Sequence, residues 1–171
     1  MAALPHQYRL GSFNRLAGPR LGKVRTVSEL PVLNPEQFPH CFVCGPANPD
    51  GLHLVVRRDG DEAVARWSPS HTHEGYPDHF HGGLVGLLVD EMLVYAGAAN
   101  GLWGMTAKVS YTLRAPVPMD GEIHLRSRLL SQSSRGYRAT VEIRVADDLL
   151  AAEGEGLCVI RKDLMVNLED S

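Results

Sequence analysis

A chain of 171 residues with 17 Lys and Arg against 20 Asp and Glu has room for one domain with its own core. Its net charge of −3 and pI near 6.2 argue against a general nucleic-acid binder. No apolar run reaches the ~18 residues of a membrane span. Three cysteines and no apolar leader near Met1 fit a reducing, cytoplasmic setting better than a disulfide framework.

Residues 1–39 show no sustained period and contain Pro5, Pro19, Pro31, Pro35 and Pro39. They read as an extended N-terminal arm, draped over the domain or over a partner subunit. The first 28 residues lack Asp and Glu while carrying Arg9, Arg15, Arg20, Lys23 and Arg25, a composition met in organelle transit peptides. Only two serines lie there, and Pro5 and Pro19 break a clean amphipathic helix, so the transit reading is set aside. The domain is expected over 40–163, with 164–171 as a tail.

From His40 to Gly51 the density of Pro, Asn and Gly marks turns. Cys41-x-x-Cys44 has the spacing of half a zinc site, with His40 and Cys158 as further candidate ligands, but the second pair is missing. The reading preferred is a tight turn with two buried small residues and no metal.

Leu52 to Arg58 and Glu62 to Trp67 alternate and are joined at Asp59-Gly60-Asp61, a hairpin signal. Ser68 to His81 reads as a loop. His81 to Asn100 follows as a long helix, apolar on almost every side, which belongs in an interior. Asn100-Gly101 ends it.

Four strands come next. Met105 to Leu113 places Met105, Ala107, Val109, Tyr111 and Leu113 on one face, and Glu122 to Leu130 does so for Ile123, Leu125 and Leu129. Tyr137 to Val145 has the cleanest period of two, and Leu149 to Ile160 carries Gly154 and Gly156 as signs of a bulge or close contact. Short links make neighbouring strands antiparallel. The expected order is β-β-α-β-β-β-β: an α+β fold in which a curved antiparallel sheet wraps round one long central helix.

That helix carries the chemistry. It opens on His81-Gly82-Gly83, where backbone N–H groups lack intrahelical partners and the dipole is positive. This suits a carbonyl oxygen that becomes an oxyanion. Asp90 and Glu91 sit in its middle, costly unless paired, solvated or used. Asp90 is a candidate general base or nucleophile. Gly82 and Asp90 are eight positions apart, about 12 Å along a helix, whereas one carbonyl needs both groups within roughly 3–4 Å. The mechanism therefore predicts a symmetric dimer in which Gly82 of one chain faces Asp90 of the other. Neighbours on a helix point about 100° apart, so Glu91 is left a structural or secondary role.

His81-Gly82-Gly83-(x)6-Asp90, followed by the Thr106-to-Pro116 strand and preceded by CFVCGPANPDGL, resembles the hotdog-fold acyl-CoA thioesterases of the phenylacetyl-CoA thioesterase type, over about residues 41–161. The resemblance implies that Asp90 activates water or attacks the thioester and that Gly82 N–H polarises the carbonyl. It also implies that Thr106 helps place water, and that the opposite subunit completes the site. Some relatives hold water with an Asn or Gln upstream of the HGG; here that position falls near Gly75, beside His73 and Glu74. His81 shapes the turn, Gly83 lets substrate approach, and no cofactor is required beyond the coenzyme A of the substrate.

Two further groups bear on ligand binding. His71, His73, His79 and His81, with Glu74 and Asp78, crowd one loop, but spacing alone does not make a metal site converge. Arg57, Arg58, Arg114, Arg126, Arg128, Arg135 and Arg138 are candidates for the coenzyme A phosphates, with Arg135-Gly136 at a hairpin preferred. The expected partners are an acyl-CoA or acyl-carrier-protein thioester and a second copy of the chain, as a dimer or a dimer of dimers, with no nucleic acid and no membrane span. The alternatives are a hotdog-fold hydroxyacyl-thioester dehydratase and a non-catalytic acyl-CoA-binding protein.

Overall fold

The computed structural model describes residues 26–36 and 38–164. The arm's first 25 residues and most of the tail lie outside them.

Among the described residues eight strands and one long helix follow in the order β1 (Val56–Asp59), β2 (Glu62–Trp67), β3 (Glu74–Tyr76), β4 (His79–Phe80), α1 (Gly82–Ala98), β5 (Gly104–Leu113), β6 (Ile123–Gln132), β7 (Gly136–Val145) and β8 (Leu149–Ile160). Six strands form one antiparallel sheet, ordered β1-β2-β6-β7-β8-β5. The sheet is curved and packs against α1, the α+β architecture expected. Val85, Leu88, Val89, Met92, Leu93, Tyr95 and Ala96 are buried on several sides of the helix, as its apolar circumference requires. Tyr137, Ala139, Val141, Ile143 and Val145 of β7 all face this core, which matches their period of two.

Gly154 and Gly156 of β8 mark close contact. A Cβ at Gly154 would stand 2.4 Å from Val89 Cγ1, and one at Gly156 would stand 2.5 Å from Leu93 Cδ1. The bare backbone lets the helix settle into the sheet.

Three local expectations need correction. The first strand begins at Val56 rather than Leu52, because Leu52 and Leu54 donate their N–H groups to Phe42 and Val43 of the preceding turn. The stretch Ser68 to His81 is not all loop: it contains the β3–β4 pair, a small separate sheet. Five residues of β5 do not share one face either. Thr106 and Lys108 pair with the consecutive residues Cys158 and Leu157, so Ala107 is the extra residue of a bulge. Beyond the bulge Val109 and Tyr111 face Gly156 and Gly154 on the helix side, whereas Met105 pairs with exposed Val159 on the other.

Within the part read as an arm, Leu30 and Leu33 are buried, Val32 bridges to Arg57, and the Asn34 side chain bonds the backbone of Leu54 and Val56. This segment lies over the domain.

Candidate active site

The first turn of α1 is capped by its own histidine. His81 precedes the helix in an extended conformation, and its Nδ1 accepts from Gly83 N–H at 3.0 Å. Its carbonyl accepts from Leu84 and Val85 N–H at 2.9 and 3.1 Å. That accounts for three of the four first-turn donors. Gly82 N–H has no acceptor among the described residues, and it stands at the positive end of a 17-residue helix. Gly83 therefore offers a ligand its lack of a side chain rather than its N–H.

Asp90 lies two turns further along, on the stripe Gly86–Asp90–Val94–Gly97. A Cβ at Gly86 would stand 2.5 Å from the Tyr111 ring, and one at Gly97 would stand 2.4 Å from the Tyr137 ring. Tyr137 OH donates to Val94 O at 3.2 Å. The Asp90 carboxylate, half-buried, thus looks towards the β5–β8 ladder. Thr106 stands on that ladder, its hydroxyl 3.8 Å from the sulfur of Cys158. Burial pushes the Cys158 thiol up, Thr106 and Tyr137 oppose this through hydrogen bonds, and the charge of Asp90 adds to it. Thr106 thus lies towards the Gly104 end of β5, and the charge of Asp90 reaches the Cys158 opposite it.

Gly82 is at the other end. A Cβ placed on it would meet Leu113 Cδ1 at 3.0 Å, so α1 and β5 run antiparallel, Gly82 beside Leu113 and Asp90 towards Thr106. Within one chain the unpartnered N–H and the carboxylate remain about 12 Å apart. Glu91 turns away from Asp90 to the turn carrying Cys41 and Cys44. Burial is the main cause that pushes its carboxyl up, and the Asp90 charge adds to this while the thiols oppose it.

No protein-family model matches the chain, and no curated protein matches it. Solved structures do. One, described as a thioesterase superfamily protein, is 31% identical with a TM-score of 0.65 over 68% of this chain and 61% of that one. The E. coli PaaI protein from the phenylacetic acid degradation operon is 17% identical, TM-score 0.60, over 64% of this chain and 80% of its own. Zebrafish thioesterase superfamily member 2 is 20% identical, TM-score 0.61, over 74% and 95%. The fold is that of the hotdog thioesterase superfamily. This chain spans less than two thirds of the first of those structures, and the other two share its fold.

In the hotdog frame the remaining candidates fall into place one by one. A Cβ at Gly75 would stand 2.9 Å from His81 Cα, so the HGG turn occupies the space a side chain at this position would need. His73 packs on the rings of Trp67 and Phe80, and its Nδ1 accepts from Ser70 N–H at 2.9 Å. His79 Nδ1 bonds Pro77 O, and Glu74 accepts from Asp78 N–H. His73, His79 and His81 are thus engaged separately, and among the described residues the loop histidines form no group with converging ligand atoms.

Most candidate arginines are occupied. Arg57 and Arg58 bond the carbonyls of Leu30 and Ala99, while Arg114, Arg126 and Arg138 pair with Glu153, Glu62 and Glu155. Arg135 makes no ion pair among the described residues and lines a groove with Ser131, Gln132, Arg138, Leu157 and Val159. Tyr137, next to Gly136, sits opposite Cys158 and so in the Thr106 row. The pairing at Cys41, Cys44 and Glu91 was missed in the sequence, where nothing ties a mid-helix carboxylate to an upstream turn. No helix among the described residues is long and apolar enough to cross a membrane.

Proposed function

We propose that the chain is an acyl-CoA thioesterase working as a homodimer, with each site built from both subunits. The observation that carries this reading is the helix N-terminus: Gly82 N–H is the one first-turn donor left without an acceptor among the described residues, and Asp90 lies two turns further along the same helix.

The dimer is supported by the edge of the sheet. β5 is an edge strand of ten residues, and Val109, Tyr111 and Leu113, on the helix side, are left 39%, 42% and 50% exposed. A long unpaired edge bearing an apolar face invites a second strand. Two copies of β5 paired antiparallel about a two-fold axis at Ser110, with Ala107 the extra residue, would set Leu113 of one chain opposite Thr106 of the other. Gly82 travels with Leu113 and Asp90 with Thr106, so the donor and the carboxylate would meet across the axis.

In that arrangement Gly82 N–H binds the thioester oxygen as it gains charge, and Thr106 holds the water. Asp90 takes a proton from the water as its oxygen attacks the carbonyl carbon. The tetrahedral intermediate then collapses, the C–S bond breaks, and Asp90 returns the proton to the leaving thiolate. The products are a carboxylic acid and free coenzyme A. Arg135 and the hairpin groove are assigned to the nucleotide end of the substrate.

The dehydratase reading is less well supported, because it needs His81 as a base. The lone pair on its Nδ1 is already engaged by Gly83 N–H, which leaves the neutral ring's proton on Nε2. Thiol release from a panel of aliphatic and aryl acyl-CoA substrates tests the proposal. Turnover by the wild type and its loss by at least about 100-fold in Asp90→Asn are expected. Tight binding of the panel without thiol release would instead make the chain a binding protein.

A further inference from the structure

The turn at Cys41–Gly45 and the middle of α1 bring three ligand-type groups together. Cys41 Sγ, Cys44 Sγ and a Glu91 carboxylate oxygen all lie within 4.8 Å of one another, with Cys41 Sγ 3.9 Å from Glu91 Oε1. Two thiolates bound to a tetrahedral zinc at about 2.3 Å stand roughly 3.8 Å apart, so the groups need move by about an ångström at most. We propose that Cys41, Cys44 and Glu91 bind a zinc ion that clips this turn to the central helix beside Asp90.

The surroundings support a cation. Among the described residues no Lys or Arg pairs with Glu91, so a half-buried carboxylate faces two thiols with no positive charge to balance it. Tyr95, one turn after Glu91 and 1% exposed, sets its hydroxyl beside the Cys44 thiol, where it makes no hydrogen bond of ordinary geometry among the described residues. That hydroxyl, or a water bonded to it, supplies the fourth position of a tetrahedral site.

The scaffold is pre-set. Gly45 N–H donates to Cys41 O at 3.0 Å, and a Cβ on Gly45 would stand 2.4 Å from Cys41 N, so the turn closes on a glycine. Leu52 and Leu54 N–H groups bond the carbonyls of Phe42 and Val43 between the two cysteines, which ties the turn to the segment leading into β1. Glu91 is carried by a rigid helix. Two ligands three positions apart on a fixed turn and a third on a helix are a built site rather than a chance cluster. Binding displaces two thiol protons, which makes uptake dependent on pH. The proposal is independent of the thioester reading.

The test uses the full chain, purified reduced. Metal content is measured, and the metal-free chain is titrated with zinc against a chromophoric chelator and with cobalt(II) as a spectroscopic probe. One equivalent of zinc and a thiolate-to-cobalt charge-transfer band are expected. Cys41→Ser, at the less buried cysteine, should weaken zinc binding by at least about 100-fold, and Glu91→Gln by about 10-fold while keeping the band. Near-UV circular dichroism confirms that each variant is folded. A reduced, folded wild type that takes up no zinc overturns the proposal, as does uptake unchanged in Cys41→Ser or in Glu91→Gln.

Discussion

Thr106 and Cys158 face each other across β5 and β8, hydroxyl to thiol at 3.8 Å, because one extra residue at Ala107 reverses the alternation of the strand. Without that bulge Thr106 would point away from the helix, opposite to Val109 and Tyr111. The bulge aims a hydroxyl at the region Asp90 faces. Thr106→Val keeps the β-branched shape and removes only the hydroxyl. It should lower kcat by about 10-fold with KM little changed, since the lost group acts on water rather than on substrate. Steady-state thiol release checks this, and an unchanged kcat removes Thr106 from the mechanism.

Packing between helix and sheet gives a stability prediction. At Gly156 a new Cβ would lie 2.5 Å from Leu93 Cδ1 and 2.7 Å from Lys108 O, a backbone atom that cannot step aside. Gly156→Ala should destabilise the fold by about 1–3 kcal/mol, the usual cost of overpacking a core. Urea unfolding reports it as a lower midpoint with an unchanged slope.

Edge pairing is tested at Val109. A lysine there charges the apolar strip of β5 that the second subunit is proposed to cover. Val109→Lys should sediment as a monomer with wild-type circular dichroism, and its hydrolysis should fall with the dimer. A monomeric variant that retains full turnover would place the site within one chain.

His73 provides a pH effect. Burial holds its imidazole below the ordinary value of 6.5, and in the neutral form its Nδ1 accepts from Ser70 N–H. The unfolded chain therefore takes up this proton at a higher pH than the folded one. The contribution is complete above about 6.5 and is lost as pH falls through that value to the lower folded one. Between pH 7.5 and 5 the wild type should lose more thermal stability than His73→Gln. Parallel losses would assign the acid sensitivity to other groups.

Much of this was legible in the sequence because period and composition report burial directly. Tyr137 to Val145 alternates because every second residue meets α1, and the helix is apolar all round because the sheet curves about it. His81, Gly82 and Asp90 stood out as polar or bare positions within an apolar run. What period could not carry was the bulge at Ala107, since Met105, Ala107 and Val109 fit a regular strand equally well. Nor could it join Cys41 and Cys44 to Glu91, because that contact depends on how the upstream turn folds back over the helix. The hairpin of β3 and β4 is too short to show a period, and His79 and Phe80 read as loop for that reason.

The central claim is that Gly82 and Asp90 act on one thioester from different chains, and subunit mixing tests it most directly. Gly82→Pro removes the N–H at a helix position that tolerates proline, after a His81 already extended at ψ 125°. Asp90→Asn removes the base. Each variant alone should be inactive. A heterodimer of the two holds one site with both lesions and one with none, so co-folding them should restore about a quarter of wild-type activity in a random mixture. If the mixture stays as inactive as its parents while heterodimers form, the site does not span the two chains.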